Sequence, residues 1–516
     1  MLRVESYKKG IVFSTFFNIL NKGLVFCNGL LVAYFFGVYE STDLFFYVYN
    51  SVLILGAYFS SMNGTVLIPE AMRLRTVESE EAGMRFINFF LAGYTVIAVV
   101  AVSLIFIDPT SFFSAVSNFD IQHLSQNKHL LYLSLPLFAL ICIINLLIDV
   151  LTSHKFFTIP MIVGIINGVV SILFVVIFHS TLGISSVFYG LLISYSANLI
   201  LLTTLLKRKL GWHFTRITVV KNKRIWSNYG FAQLGNITST LASYTPMYIL
   251  TGYSTGIITA LTFAQQISTL PTTLITYQFS SVAGIKFNEL YAKKETGEIN
   301  RVFSDSAKFL HFLMVPLSCF IFYFADEIVQ FLLGFTSMHQ NAANHVALFL
   351  RYLGFLLPLF VINSLLSRLF MASHKIKQSF WYQVVFNLLL IAGMFVAVKN
   401  MGPVGYPVAM VAAYGLNLVV CYFLIQRFFR FSGYLQIIRN LAMLLLVNII
   451  IAFLVNYAVT LAGVAEPVIS LIFAATLYLI ILLVMNKMFR LNELVTLHAG
   501  DIVNKILNYG PTRSGR

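Results

Sequence analysis

Apolar residues in this chain fall into long runs of similar length, separated by short polar connectors. A hydrocarbon layer about 30 Å thick takes about 20 residues of helix to cross. Runs that long lie at 10–37, 44–68, 86–107, 130–152, 156–178, 182–206, 229–251, 256–285, 307–325, 346–367, 378–398, 402–426, 438–461 and 467–486. Backbone N–H and C=O groups find no water inside a bilayer, so each run must be a helix that satisfies its own. The pattern predicts an all-α, polytopic membrane protein with fourteen spans. Composition agrees, with 59% of the 516 residues hydrophobic, 10% charged and a mean hydropathy of +0.84. The opening MLRVESYKKG is too charged, and the apolar run after it too long, for a cleaved secretory signal, so the first run is expected to remain as a span.

Net charge changes the picture only until its placement is read. A value of +15 would suit a nucleic-acid partner. With the amino terminus inside, however, 30 of the 34 Lys and Arg fall in cytoplasmic segments, Lys128 and Lys399 fall outside, and Lys22 and Arg351 fall within spans. That is the positive-inside bias of a protein in a cytoplasmic membrane, both termini cytoplasmic, and it explains the basicity through a phospholipid bilayer without nucleic acid. Cys27, Cys142, Cys319 and Cys421 sit in apolar runs without CxxC or Cys/His spacing, so they are expected to pack, with no metal, cofactor or disulfide. No GxxxxGK[ST] loop is present, so the chain carries no ATPase engine, and no catalytic residues are expected.

The chain repeats itself. LPLFALICIINLLIDVLTSHK, Leu135 to Lys155, is answered by LPLFVINSLLSRLFMASHK, Leu357 to Lys375, each with a proline early and Ser-His-Lys at the end. Both belong to spans running outside to inside, and each follows one of the two longest outside loops, 108–129 and 326–345. A period near 220 residues implies two parallel six-helix lobes related by an axis along the membrane normal. The expected organisation is an N-lobe at 1–206, a basic cytoplasmic linker at 207–228, a C-lobe at 229–427, an added helix pair at 428–486 and a basic cytoplasmic tail at 487–516. Pro136 and Pro358 are the candidate hinges of a transporter that bends its helices, although proline in a membrane helix often only shapes packing.

Polar residues inside spans mark the candidate binding surface. Ser14, Asn18, Asn21, Lys22 and Asn28 recur by threes, fours and sevens in the first span. Lys22 lies about 18 Å from the cytoplasmic start of that helix at 1.5 Å per residue, too deep to snorkel comfortably. A central lysine costs about 2.5–3.5 kcal/mol on insertion scales, so it is expected to face a partner or a wet cavity. Gln265 and Gln266 lead a second stripe in the eighth span, and Gln233, Asn236, Thr240 and Ser243 form a third in the seventh; interhelical hydrogen bonding is the plainer role for any one of them. Asp43 opens the second span, where a carboxylate complements a helix N-terminus as readily as it serves function. Arg351 is near enough to the outer surface to snorkel or to meet a substrate phosphate, and Asp149 can pair with Lys155 or a nearby arginine.

FFGVYESTDLFFYVYNSVLILGAYFSSMNGTVLIPEAMRL, Phe35 to Leu74, resembles the MurJ/MviN lipid II flippases of the MOP exporter superfamily, through Phe36-Gly37, Asp43, Phe45-Phe46 and Ile68-Pro69. The eighth span, LTFAQQISTLPTTLITYQFSSVAGIKFNEL, is similar to its counterpart there. The resemblance implies a flippase with a cationic cavity between its lobes and a groove from the last two helices for a lipid tail. The family's cavity arginines correspond here to Lys22, Asn28, a position near Gly56, and Gln266, so one charge of four is retained. A more neutral cavity suits another polyprenyl-diphosphate saccharide, such as a surface-polysaccharide unit. The implied partner is that lipid-linked saccharide, handled by a monomer. Two rivals stand beside this reading: an ion-coupled exporter of small amphipathic molecules, from a branch that usually has twelve helices, and a transport-dead scaffold for cell-envelope enzymes.

Overall fold

Every one of the fourteen apolar runs coincides with a helix, or with helices joined by a short irregular turn, and no strand occurs among the described residues. The computed structural model describes residues 7–37, 39–218, 223–336, 340–373, 375–431, 433–463, 466–489 and 491. Ten of its helical stretches are long and apolar enough to cross a membrane, or eleven if a bent pair at 342–372 is one span, and one of them, Lys377–Phe429, holds two of the expected runs. The runs outside this set are the seventh and eighth, whose polar stripes dilute their hydropathy.

Two compact units divide the chain, Met1–Thr259 with Thr336–His339, and Ala260–Phe335 with Gln340–Arg516. The first holds α1 (Tyr7–Phe36), α2 (Glu40–Met62), α3 (Ile68–Val77), α4 (Glu80–Ile107), α5 (Pro109–Ala115), α6 (Ile121–Gln126), α7 (Lys128–Ser153), α8 (Ile159–Leu182), α9 (Ser185–Leu210) and α10 (Lys223–Leu250). Helix α7 is its centre, packed on α2, α4 and α9. Phe86 and Phe90 of α4, Leu147 and Leu151 of α7, and Leu202 and Leu206 of α9 form a buried core with Trp212, whose indole N–H donates to Asn88 at 2.8 Å. That bond ties the start of the basic linker to α4. Helix α10 packs on α2 and so lies in the first unit, beyond the lobe boundary expected at 229.

Helix α11 (Ile257–Pro271) has its first turn in the first unit. The second unit continues with α12 (Tyr277–Ala292), α13 (Thr296–Tyr323), α14 (Ala325–Leu333), α15 (Gln340–Gly354), α16 (Leu356–Ala372), α17 (Ile376–Met401), α18 (Gly405–Phe429), α19 (Tyr434–Ala462) and α20 (Pro467–Phe489). Val315 and Cys319 of α13, Leu444, Ile451 and Val455 of α19, and Ala474 and Tyr478 of α20 share one buried core, which seats the added helix pair.

The two stretches read as outside loops contain helices. Asp108 and Asp120 cap α5 and α6 with side-chain oxygens, and Pro109 pre-sets the first residue of α5. In α14, Val329 and Leu333 are buried one turn apart, which gives that short helix an apolar face.

The repeat is visible in local geometry. A π-turn at Asn63–Leu67 joins α2 to α3, and another at Thr272–Thr276 joins α11 to α12. Ile68 N–H bonds Asn63 C=O in one, and Tyr277 N–H bonds Thr272 C=O in the other, each five residues back. The repeated serines do the same work too. Ser153 returns its hydroxyl to Val150 C=O at 2.7 Å and Ser373 to Phe370 C=O at 3.1 Å, closing α7 and α16. His374, the middle of the second Ser-His-Lys, lies outside the described residues.

The prolines differ. Pro136 sits within a continuous α7, whereas Pro358 is in the first turn of α16, just past a 43° bend between α15 and α16. A proline frees the carbonyl one turn before it, so a helix interrupted at Phe355 accommodates Pro358 without loss.

Candidate functional site

The polar stripe of α1 divides between two directions. Asn21 lies so close to α8 that a Cβ on Gly164 would meet its amide at 2.4–2.6 Å, and one on Gly168 would meet Leu24 at 2.7 Å. Ser171, one turn further along α8, donates a long 3.5 Å bond to Asn28. Asn21, Leu24 and Asn28 therefore dock α1 on a small-residue face of α8, the role glycines at four-residue spacing serve between membrane helices. Lys22 follows Asn21 by one residue and so points about 100° away from that face. It is half-buried, and no carboxylate among the described residues lies within ion-pairing distance of it. The side chain of Asn18 lies outside the described residues.

Asp43 is buried, and the helix N-terminus it serves is not the one it opens. Its carboxylate accepts hydrogen bonds from Gly256 N–H and, at 2.8 Å, from Thr259 N–H, with a further bond from the Thr259 hydroxyl. These are orphan donors of the first turn of α11. Beside it, the hydroxyls of Tyr47 in α2 and Tyr244 in α10 both donate to Val116 C=O, at 2.8 and 2.7 Å, and contact each other. These ends of α2 and α10 and the α5–α6 segment are thereby tied together.

Nearer the other end of the unit, the first π-turn holds a second polar cluster. Asn63 Nδ2 donates to Asp149 Oδ2 at 2.9 Å and Tyr94 donates to Asn63 Oδ1 at 3.0 Å. Asp149, expected to meet a basic residue, takes an amide, and it lines a cavity of about 270 Å³ with Lys155 and Gly64. At the end of α7, Arg75 donates to His154 Nε2 at 2.6 Å while His154 Nδ1 contacts Val150 C=O at 2.9 Å. Burial, then repulsion from Arg75, holds this imidazole below its ordinary range.

In the second unit the candidates have partners of their own. Gln265 donates to the Tyr406 hydroxyl at 3.0 Å, and its C=O accepts the Thr269 hydroxyl at 2.7 Å. Gln266 keeps a buried Oε1 with no hydrogen-bond partner among the described residues. Arg351 pairs with Asp326 of α14, so its guanidinium is engaged at the end of the unit. Sequence reasoning missed Asn63, Tyr94 and the Tyr47–Tyr244 pair. The only local signals were Asn63-Gly64 before Pro69 and the Thr run after Pro271.

Fourteen helical runs in two units, with a lysine within a span and a carboxylate capping a distant helix, describe a polytopic helical membrane protein. By fold, the chain is similar to "Lipid II flippase MurJ, inward closed conformation", with a TM-score of 0.74 and 17% identity over 93% of this chain and 99% of that one. It is also similar to an inward-facing multidrug resistance MATE family transporter of the MOP superfamily, with a TM-score of 0.63 and 14% identity over 82% and 95% of the two chains. A curated relative, the probable lipid II flippase MurJ of Borreliella burgdorferi, is 23% identical over 450 residues, 81% of this chain and 82% of that protein. The family model "Lipid II flippase MurJ" matches residues 32–493, and the chain belongs to that family.

Proposed function

We propose that this protein moves a polyprenyl-diphosphate-linked saccharide, lipid II or a related cell-envelope precursor, from the cytoplasmic to the outer leaflet of a bacterial cytoplasmic membrane. Both termini are cytoplasmic, the monomer is the working unit, and the lobes at 1–206 and 229–427 alternate access. The observation that carries this reading is Lys22, a half-buried cation within a span with no ion-pair partner among the described residues. A diphosphate supplies the countercharge that such a position lacks.

Asn28 is committed to α8 and Gln266 is neutral, so Lys22 meets the diphosphate with little cationic help. That favours a substrate whose saccharide contributes much of the binding. Drive comes from the membrane potential, worth about 2.3 kcal/mol per charge per 100 mV, because an anionic head group is pushed outward from a negative interior. The acids from 256 to 485, Glu289, Glu295, Glu298, Asp305, Asp326, Glu327 and Glu466, all stand in or beside connectors of the expected spans, which supports a drive without a carboxylate-bound ion there.

Depletion of the protein followed by mass spectrometry of lipid-linked precursors tests the function. Accumulation of one polyprenyl-diphosphate saccharide is expected and names the substrate; unchanged precursor pools with altered sensitivity to amphipathic toxins would replace it with the multidrug exporter. Orientation is tested by an impermeant thiol reagent on intact cells, which should label cysteines introduced at Ser125 and Gln340 but not at Asn222.

A further inference from the structure

One cavity of the first unit stands apart from Lys22. It is a recess of about 550 Å³ at the end of the unit where α2 begins, walled by the α5–α6 segment and by the α10–α11 turn. Hydrogen bonds tie its walls to each other. Asn118 N–H donates to the Thr251 hydroxyl at 2.8 Å, Asn118 Nδ2 donates to Tyr248 C=O at 2.7 Å, and Asp120 caps α6 through Gln122 N–H.

The chemistry of the lining excludes two ligand classes. No lysine or arginine lines it, while Glu40, Asp43 and Asp120 do, so it repels phosphate. Nor are those carboxylates gathered as a metal set. Both oxygens of Asp43 are occupied by the first turn of α11, and no group of three or more His, Cys, Asp or Glu among the described residues is arranged to hold an ion. What remains is a mixture of donors and acceptors beside aromatic rings. The exposed amides of Gln122 and Gln126 each offer both, Glu40 accepts, and His123 keeps a buried Nε2 with no hydrogen bond, 3.9 Å from Glu40. Phe119, edge-on to His123 at 5.2 Å, and Tyr253 supply flat apolar surface. Paired hydroxyls with apolar C–H faces between them match this lining, and the volume is that of an ordinary ligand site.

We propose that this recess binds an uncharged saccharide bearing hydroxyl and amide groups, on the outer face of the membrane. The inference rests on the flippase reading and its orientation: the recess receives the sugar end of the head group as it emerges, while the diphosphate is kept away. Its place beside Asp43 puts an arriving sugar next to the bonds that hold the first turn of α11.

Saturation-transfer NMR on the full-length protein in detergent, with N,N′-diacetylchitobiose as a neutral N-acetylated probe, tests this. Transfer to the sugar protons is expected, undiminished by inorganic diphosphate. Affinity should fall about tenfold in Gln122→Ala/Gln126→Ala, the loss of two hydrogen bonds at exposed positions that do not carry the fold. Three results would overturn the proposal: no transfer from protein that still flips a lipid-linked saccharide in vesicles, transfer unchanged in the double variant, or displacement by diphosphate. Each leaves the flippase reading intact, since that reading stands or falls on the accumulated precursors.

Discussion

Asp43 and Thr259 are 216 positions apart in sequence and joined by two hydrogen bonds, one from the Thr259 backbone at 2.8 Å and one from its hydroxyl. A carboxylate that opens one helix thus caps another. Because it accepts from three donors while buried, an isosteric amide cannot replace it: an Asn would aim an NH₂ at an N–H. Asp43→Asn and Asp43→Ala should each cost about 2–4 kcal/mol, a lost cap plus unpaired buried donors. Thr259→Val should cost about 1 kcal/mol, and the double variant less than the sum. Thermal unfolding in detergent reads this, and an Asp43→Asn protein that melts with the wild type would remove the cap from the account.

Lys22 separates a charge from a contact. Lys22→Arg keeps the cation and should retain most flipping, whereas Lys22→Gln and Lys22→Met should reach the membrane in normal amount yet fail to complement a depletion strain. Full complementation by Lys22→Met would leave the diphosphate without its cation and move attention to the scaffold reading.

The two candidate hinge prolines should behave unequally. Pro358 follows a 43° bend and Pro136 lies in an unbroken helix. Pro358→Ala is expected to slow transport more than it lowers folded protein, and Pro136→Ala to change transport less. Transport rate normalised to membrane protein level distinguishes them; equal and proportionate losses would return both to packing.

His154 gives stability a pH dependence. Its folded-state pKa lies below the ordinary 6.5, because it is buried and faces Arg75. Below about pH 6.5 the unfolded chain binds a proton that the folded chain does not, so stability falls with pH until the folded pKa is passed. His154→Gln, which cannot titrate, should flatten the decline in melting temperature between pH 7 and 5. Glu80, 3.6 Å from Nε2, works in the opposite direction, so Glu80→Gln should steepen it.

What the sequence determined by itself is what hydropathy and charge can sum locally. The positions of the helices at all fourteen runs, the repeated Ser-terminated helix and the place of Lys22 within the first helix follow from composition over about twenty residues, because a bilayer admits little else. Family membership was legible in one forty-residue stretch. The partners of polar groups were not. Periodicity grouped Asn21, Lys22 and Asn28 on one stripe, and only the close approach of α1 to Gly164 and Gly168 split them. Arg351 is paired with Asp326 because the stretch read as a loop folds as α14. Asp43 meets Gly256 and Thr259, and Asn63 meets Asp149, across more than eighty residues in each case. A hydrogen bond acts over about 3 Å, so its partner is decided by which helix faces meet, and that is settled by packing between helices rather than by the pattern along any one of them.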